Sequence, residues 1–329
     1  MAGAPAAVAP WQGPIVATLK ELGRWTEGRY APEPMPSDEV VEAERYLDRG
    51  FLREAVARAH AAQQQSTAAL PETDHGFDDD AEPDLRIAMS RFTRHAASIT
   101  AAVCAALACG VGLDASARNC RYIIRSNVPF IGSLPSAGTP PVRCRERPTS
   151  WPVDGPIVDT LDELRAYAWR KLFAENLGPL FERAREVTKV SPRLSWSNAA
   201  EWVAMVSDAA DEYLGLERSP PFVADRVALF GAPQVPGIAG ANPLAGLVEW
   251  DPYDAADFPR GVERRRICCT TYMLNDRLGR LCSNCPFLTV EERVAMMREE
   301  HGVAMIGDAG GPARARAIQV GRQKLGLPA

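Results

Sequence analysis

Apolar residues recur at helical spacing through most of this chain. Ile15, Leu19 and Leu22 fall on one face with Trp25. A second helical stretch is expected over 37–65, opened by Ser37 or Asp38 as cap. From Leu85 the apolar positions run 85, 89, 92, 96, 99, 103 and 107, which predicts one long amphipathic helix ending near Gly110 and Gly112. The pattern then changes. Residues 120–156 are rich in Pro and Gly, with short β-favouring runs such as "RYII" and "PVRC". Thr160 and Glu163 form a capping box that opens helices reaching residue 188. A further helix is expected from Ser197 or Asn198, with Glu201 reaching back to its start and Trp202, Val206, Ala210 and Tyr213 along one side. Its tryptophans, with Trp196, read as core. A helix or two and a glycine-rich loop follow over 219–246. Thr289 and Glu292 make a second capping box for a last helix, with Val290, Val294, Met297 and His301 on one face and Gly302 as its stop. The expected fold class is helix-rich α+β, with short strands around 115–150 and 245–285 and a cysteine-bearing hairpin or turn near the C-terminus. The expected organisation is an N-terminal helical region (1–114), a second region (115–306) and a flexible tail (307–329).

Composition narrows the function classes. The 329 residues carry a net charge of −5, from 37 basic and 42 acidic side chains, so no global attraction to nucleic acid is expected. The longest apolar run, 101–113, is shorter than the roughly twenty residues a membrane span needs. No leader pattern opens the chain. The expectation is a cytoplasmic monomer with no nucleic-acid or membrane partner. Seven acidic residues over 72–84 read as a solvated loop, because the regular ligand spacing of a calcium loop is missing. His60, His75, His95 and His301 are scattered, and no hydrolase or nucleotide-binding motif is present. Cys104 and Cys109, five apart on a helix, face different ways and read as core thiols.

Four of the eight cysteines fall within eighteen positions: Cys268, Cys269, Cys282 and Cys285. In a reducing compartment such clustering points to a metal site more than to disulfides. The C-x2-C half brings two sulfurs to one side of a tight turn, as in zinc and iron–sulfur sites. The adjacent pair discriminates between them. Neighbouring residues on an extended chain point opposite ways, so a shared site requires a sharp backbone turn, and two irons offer two separated acceptors. Ligand geometry therefore favours a 2Fe–2S cluster over zinc, with free or disulfide-forming thiols as the third option. Between Arg260 and Cys285 lie six arginines and two acids. Arg264, Arg265, Arg266, Arg277 and Arg280 are expected to form a positive face for an acidic electron donor or the substrate.

The segments "RRRICCTTY" and "LCSNCPFL" resemble the C-terminal signature of the FhuF-like ferric siderophore reductases: an adjacent cysteine pair, a nearby aromatic (Tyr272), and C-x-x-C-P ending at Pro286. "LSWSNAAEW" at 194–202 is similar to that family's Trp-containing helix start. The resemblance spans about 155–300, and the twelve residues between the cysteine pairs exceed the family's spacing by two. It implies a 2Fe–2S protein that reduces ferric siderophores by one electron and releases Fe2+ in the cytoplasm. The cluster would be held by Cys268, Cys269, Cys282 and Cys285, and a ferredoxin or flavoprotein would supply the electron. The alternatives are a zinc-stapled protein, or a siderophore-biosynthesis-related binding protein, without reductase activity.

Overall fold

The computed structural model describes residues 9–23, 39–67, 85–125, 128–132, 139–215, 217–255, 258, 260–271 and 281–300. The acidic segment 72–84, Tyr272, Arg277, Arg280, His75, His301, Gly302 and the tail 307–329 lie outside them. The architecture is helix-rich α+β, as the sequence pattern predicts.

The described helices are α1 (Gln12–Glu21), α2 (Arg49–Thr67), α3 (Leu85–Ala96), α4 (Ile99–Ala108), α5 (Leu161–Trp169), α6 (Gly178–Thr188), α7 (Pro192–Ala209), α8 (Pro220–Gly231) and α9 (Val290–Glu300). The strands are β1 (Glu39–Glu42), β2 (Val111–Gly112), β3 (Arg121–Arg125), β4 (Val128–Gly132), β5 (Val142–Cys144), β6 (Ile157–Val158), β7 (Val248–Asp251) and β8 (Val262–Arg265). They form three small sheets, ordered β1-β3-β4, β2-β5-β6 and β7-β8. Of these, β3, β4, β5, β7 and β8 fall in the two regions expected, β2 and β6 lie just outside them, and β1 lies far from both.

Three expectations are corrected. The stretch 37–65 is not one helix. Its "EVVE" start pairs antiparallel with "RYII" of β3, with Val41 opposite Tyr122, because a β-branched pair beside a complementary strand gains more as strand than as helix. Helix α2 starts only after Asp48, whose carboxylate accepts from the Phe51 N–H at 2.8 Å. The long helix from Leu85 is broken at 97–98, where Ser98 N–H donates to the His95 carbonyl at 3.0 Å. The break lets the nearly uniformly apolar α4 run through the core while amphipathic α3 keeps a polar face. Finally, α7 begins at Pro192, with Ser191 ahead of it. Ser197, Asn198 and Glu201 therefore lie inside the helix and are buried.

Both capping boxes are present. Thr160 Oγ1 accepts from Glu163 N–H at 3.2 Å, and Glu163 Oε2 accepts from Thr160 N–H at 3.1 Å. Thr289 and Glu292 make the same reciprocal pair ahead of α9, at 3.2 and 2.7 Å. From α5 the chain stays helical through a wider-wound stretch, Arg170–Leu177, into α6, and Lys189 ends it in left-handed conformation.

One hydrophobic core runs from Trp11 to Val248 and includes nearly all of α4. Trp169, Trp196 and Trp202 are buried in it, with Trp196 against Phe173 and Phe181. A second, smaller cluster joins Ile87 of α3 to Leu281, Cys285, Leu288 and Met296. None of the described helices is long and apolar enough to cross a membrane.

Gly110 closes α4 with φ +76°, and a Cβ there would lie 1.9 Å from the Arg147 carbonyl oxygen. Gly110→Ala is expected to lower stability by about 2 kcal/mol or more, from left-handed strain plus displaced backbone. Urea unfolding checks this, and an unchanged midpoint would contradict it.

Candidate functional site

Cys268 and Cys269 follow β8, and Cys282 and Cys285 bracket a tight turn in which the Cys285 N–H donates to the Cys282 carbonyl at 2.9 Å. All four thiols are free and line one cavity with Arg265, Leu281 and Pro286, about 210 Å³ including its open mouth. Cys269 Sγ lies 3.5 Å from Cys282 Sγ. Cys268 is hydrogen-bonded to both Cys269 and Cys285. Among the described residues no group of three or more His, Cys, Asp or Glu side chains is placed to hold a metal ion. All four thiols nevertheless line the same cavity.

The sharp turn that an adjacent cysteine pair requires is there. Thr270 has φ +60°, unusual for a β-branched residue. Its N–H donates to Cys268 Sγ at 3.3 Å. The next side chain puts Thr271 Oγ1 2.9 Å from Cys269 Sγ. The Cys269 carbonyl accepts from the hydroxyls of Ser90 and Thr270. The Cys269 thiol is held well below the usual range, first by hydrogen bonds from Cys268 and Cys282, then by the Arg265 and Arg94 guanidinium charges acting against burial. Cys268 and Cys282 are pushed well above it, chiefly by hydrogen bonding to Cys269 and by burial.

Behind the thiols lies a buried polar network carried by α3, α7 and β8. Arg94 Nη1 donates to Cys282 Sγ at 3.4 Å and Arg94 Nη2 to Glu201 Oε1 at 2.6 Å. Arg265 Nη1 donates to Glu201 Oε2 at 2.8 Å, and its Nη2 to Ser197 Oγ at 3.1 Å and Asn198 Oδ1 at 2.7 Å. Asn284, inside the second cysteine turn, donates to Glu201 at 3.2 Å and to Glu263 at 2.8 Å. Asn198 also donates to the Ser90 carbonyl and the Thr93 hydroxyl of α3, and Trp202 Nε1 donates to the Arg94 carbonyl at 2.9 Å. These hydrogen bonds tie α3, α7 and β8 together at the seam. The thiol wall is thereby fixed to the main core.

Placement of the expected arginines requires a correction. Arg265 is only 1% exposed and spends its guanidinium on α7, so it is no part of a docking face. A strand facing the core points alternate side chains inward, and Arg265 is on the inward side. Its neighbours point outward and are paired: Arg264 with Glu249 and Asp251, Arg266 with Glu249. Arg277 and Arg280 lie outside the described residues. Arg94, Asn198, Glu201, Glu263 and Asn284 were not singled out by cysteine spacing. The available signal was three polar residues, Ser197, Asn198 and Glu201, on one side of a helix between two buried tryptophans.

The class defined by these features is a helix-rich α+β protein with a buried thiol site at its C-terminal end. Residues 96–254 match the model of the family described as "Ferric iron reductase FhuF-like transporter", so this span is similar to that family. The match begins at the end of α3, earlier than the resemblance read from sequence, and stops before the cysteines. It includes α7, with Ser197, Asn198 and Glu201. The activity named in that description, ferric iron reduction, is that of the family. No curated protein matches the chain.

Glu263 supplies a test of the network. Its carboxyl is pushed up from 4.5 to about 8, first by burial, then by the Asp208 and Glu201 carboxylates, with Asn284 and Arg265 pulling the other way. Its folded value lies above its unfolded value, so the native state holds a proton that the unfolded chain has released. That contribution to stability is complete below the unfolded value, falls as pH rises, and is lost above about 8. Glu263→Gln imitates the protonated form and keeps the acceptor for Asn284. Thermal melts should show the variant gaining on the wild type steadily between pH 5 and pH 8.5. A constant difference across that range would contradict the buried, protonated carboxyl.

Proposed function

We propose that this protein reduces ferric siderophores by one electron in the cytoplasm, releasing Fe2+, with Cys268, Cys269, Cys282 and Cys285 holding a 2Fe–2S cluster. The single observation that carries this reading is that all four thiols line one cavity backed by two guanidinium groups. The FhuF-like match supports the substrate class.

The donor set fits such a cluster chemically. The described lining offers four soft thiol donors and a cation, and no carboxylate or imidazole. When bound, a 2Fe–2S cluster supplies a single-electron step. The residues around it have separable roles. Leu281 and Pro286 line the cavity with apolar surface, and Leu288, Ile87 and Met296 pack behind Cys285, limiting water. Arg94 and Arg265 offset the negative charge that four thiolates bring. Siderophore oxygens are hard ligands that suit Fe3+ better than Fe2+. One added electron therefore loosens the chelate, and no acid–base side chain is required. A ferredoxin or flavoprotein is the electron donor of this reading.

The small cluster of Leu281, Cys285, Leu288 and Met296 gives substance to a second reading, in which zinc held by the same thiols staples the chain before α9.

Metal analysis separates the two. Anaerobically purified protein should be red-brown, contain iron in preference to zinc, and bleach on reduction. Adding a ferric siderophore to the reduced protein should restore the colour. Cys282→Ser or Cys285→Ser should lose the iron and the visible spectrum while far-UV circular dichroism stays near wild type, because the main core ends at Val248. A colourless zinc protein, or global unfolding of both variants, would favour the staple.

A further inference from the structure

We propose that Arg94 tunes the thiol site: held by Glu201, its guanidinium donates to Cys282 Sγ and favours the more negative, reduced state of the redox group held there. This rests on the reading above, and it assigns a role to a residue 188 positions from the cysteine it touches.

Three observations set Arg94 apart from an ordinary buried ion pair. Its backbone is fixed, because its carbonyl accepts from Trp202 Nε1 at 2.9 Å. Its two terminal nitrogens are divided between Glu201 Oε1 at 2.6 Å and Cys282 Sγ at 3.4 Å. The guanidinium is therefore oriented, with one edge turned to the sulfur. The third observation is charge. Within the network two guanidinium groups, Arg94 and Arg265, share one carboxylate, Glu201. A second carboxyl, Glu263, reaches the network through Asn284 and does not pair with either guanidinium, and burial with the Asp208 and Glu201 carboxylates pushes it up. The network thus keeps an excess of positive charge at low exposure. Buried charge without compensation is costly. The groups placed to compensate it are the sulfurs of Cys282 and Cys269, which face both arginines. The site is preset for an anionic occupant, and an occupant that gains one more negative charge is favoured further.

The sign of the effect follows. Removing the Arg94 charge disfavours the reduced state and lowers the midpoint potential. Removing the Glu201 charge leaves Arg94 and Arg265 less neutralised and raises it. Hydrogen bonding from Arg94 to Cys282 acts in the same direction as its charge, since a donor stabilises the more electron-rich sulfur.

The test is a spectroelectrochemical titration of the full-length protein, purified anaerobically and reduced with dithionite, for wild type, Arg94→Gln, Arg94→Lys and Glu201→Gln. At a fixed ambient potential, Arg94→Gln should lower the reduced-to-oxidised ratio about tenfold, a shift of about 59 mV for one electron. Arg94→Lys keeps the charge and should recover most of the loss. Glu201→Gln should move the ratio the other way. If Arg94→Gln does not accumulate, the sign of the Glu201→Gln shift decides. Loaded variants whose ratios stay within a factor of two of wild type would overturn the inference while leaving the proposed function standing. Loss of the visible spectrum from all three variants would make Arg94 a strut and also overturn it. A wild-type protein with no redox-active group would sink the proposed function itself, and this inference with it.

Discussion

The Glu201 carboxylate, held between Arg94 and Arg265, is the constraint on which the thiol site depends. One oxygen takes Arg94 and Asn284, and the other takes Arg265. These partners come from α3, from the second cysteine turn and from β8. A single side chain on α7 therefore fixes the relative positions of three segments far apart in sequence. Such a pair adds little net stability, because taking the charges out of water costs about what their attraction returns. Losing one partner is different, since it strands a buried charge at a cost of about 3–5 kcal/mol. The arrangement specifies position more than it stabilises the fold.

That distinction shapes the rest of the structure. The main core, through α4 and its neighbours, ends at Val248 and is built of apolar packing. The cysteine segment and α9 rest on a much smaller apolar cluster. Five residues cannot by themselves orient a turn and a loop. The polar seam supplies the missing constraint, because hydrogen bonds discriminate direction where apolar contact does not. The Arg265 N–H to the Asn284 carbonyl, at 3.0 Å, ties β8 directly to the second cysteine turn.

The legible parts of the sequence were those whose signal is local. Both capping boxes, the helices they open and the cysteine spacing are short-range patterns, and the fold class follows from them. The remaining features depend on contacts that a local pattern does not encode. By local pattern Ser197, Asn198 and Glu201 predict a helix start, because short polar side chains are common caps, yet they are buried inside α7. Arg265, on strand β8, predicts a surface position as an arginine ordinarily does, yet it is buried. Nothing in residues 264–266 marks which arginine points inward until Glu201 is placed behind the strand. Strand β1 has no local signature, because "EVVE" gains its identity from β3, about eighty residues on. Arg94 gives no local signal, since its role exists only through contacts with residues more than a hundred positions away.

The adjacent cysteines show how a local conflict is resolved by the fold. On an extended backbone Cys268 and Cys269 would point to opposite sides, yet both line the cavity. The turn that reconciles them places Thr270 at φ +60°, a conformation that costs on the order of 1–3 kcal/mol for a non-glycine residue. Glycine would adopt it without that cost. A threonine brings what glycine lacks, a hydroxyl that donates to the Cys269 carbonyl. Ser90 donates to the same carbonyl from α3. Its two donors thus come from the strained turn and from the helix that carries Arg94. The strain is held by bonds that also fix the direction of the two sulfurs. The backbone distortion and the buried charge network are therefore parts of one device, anchored through α3 on one side and α7 on the other.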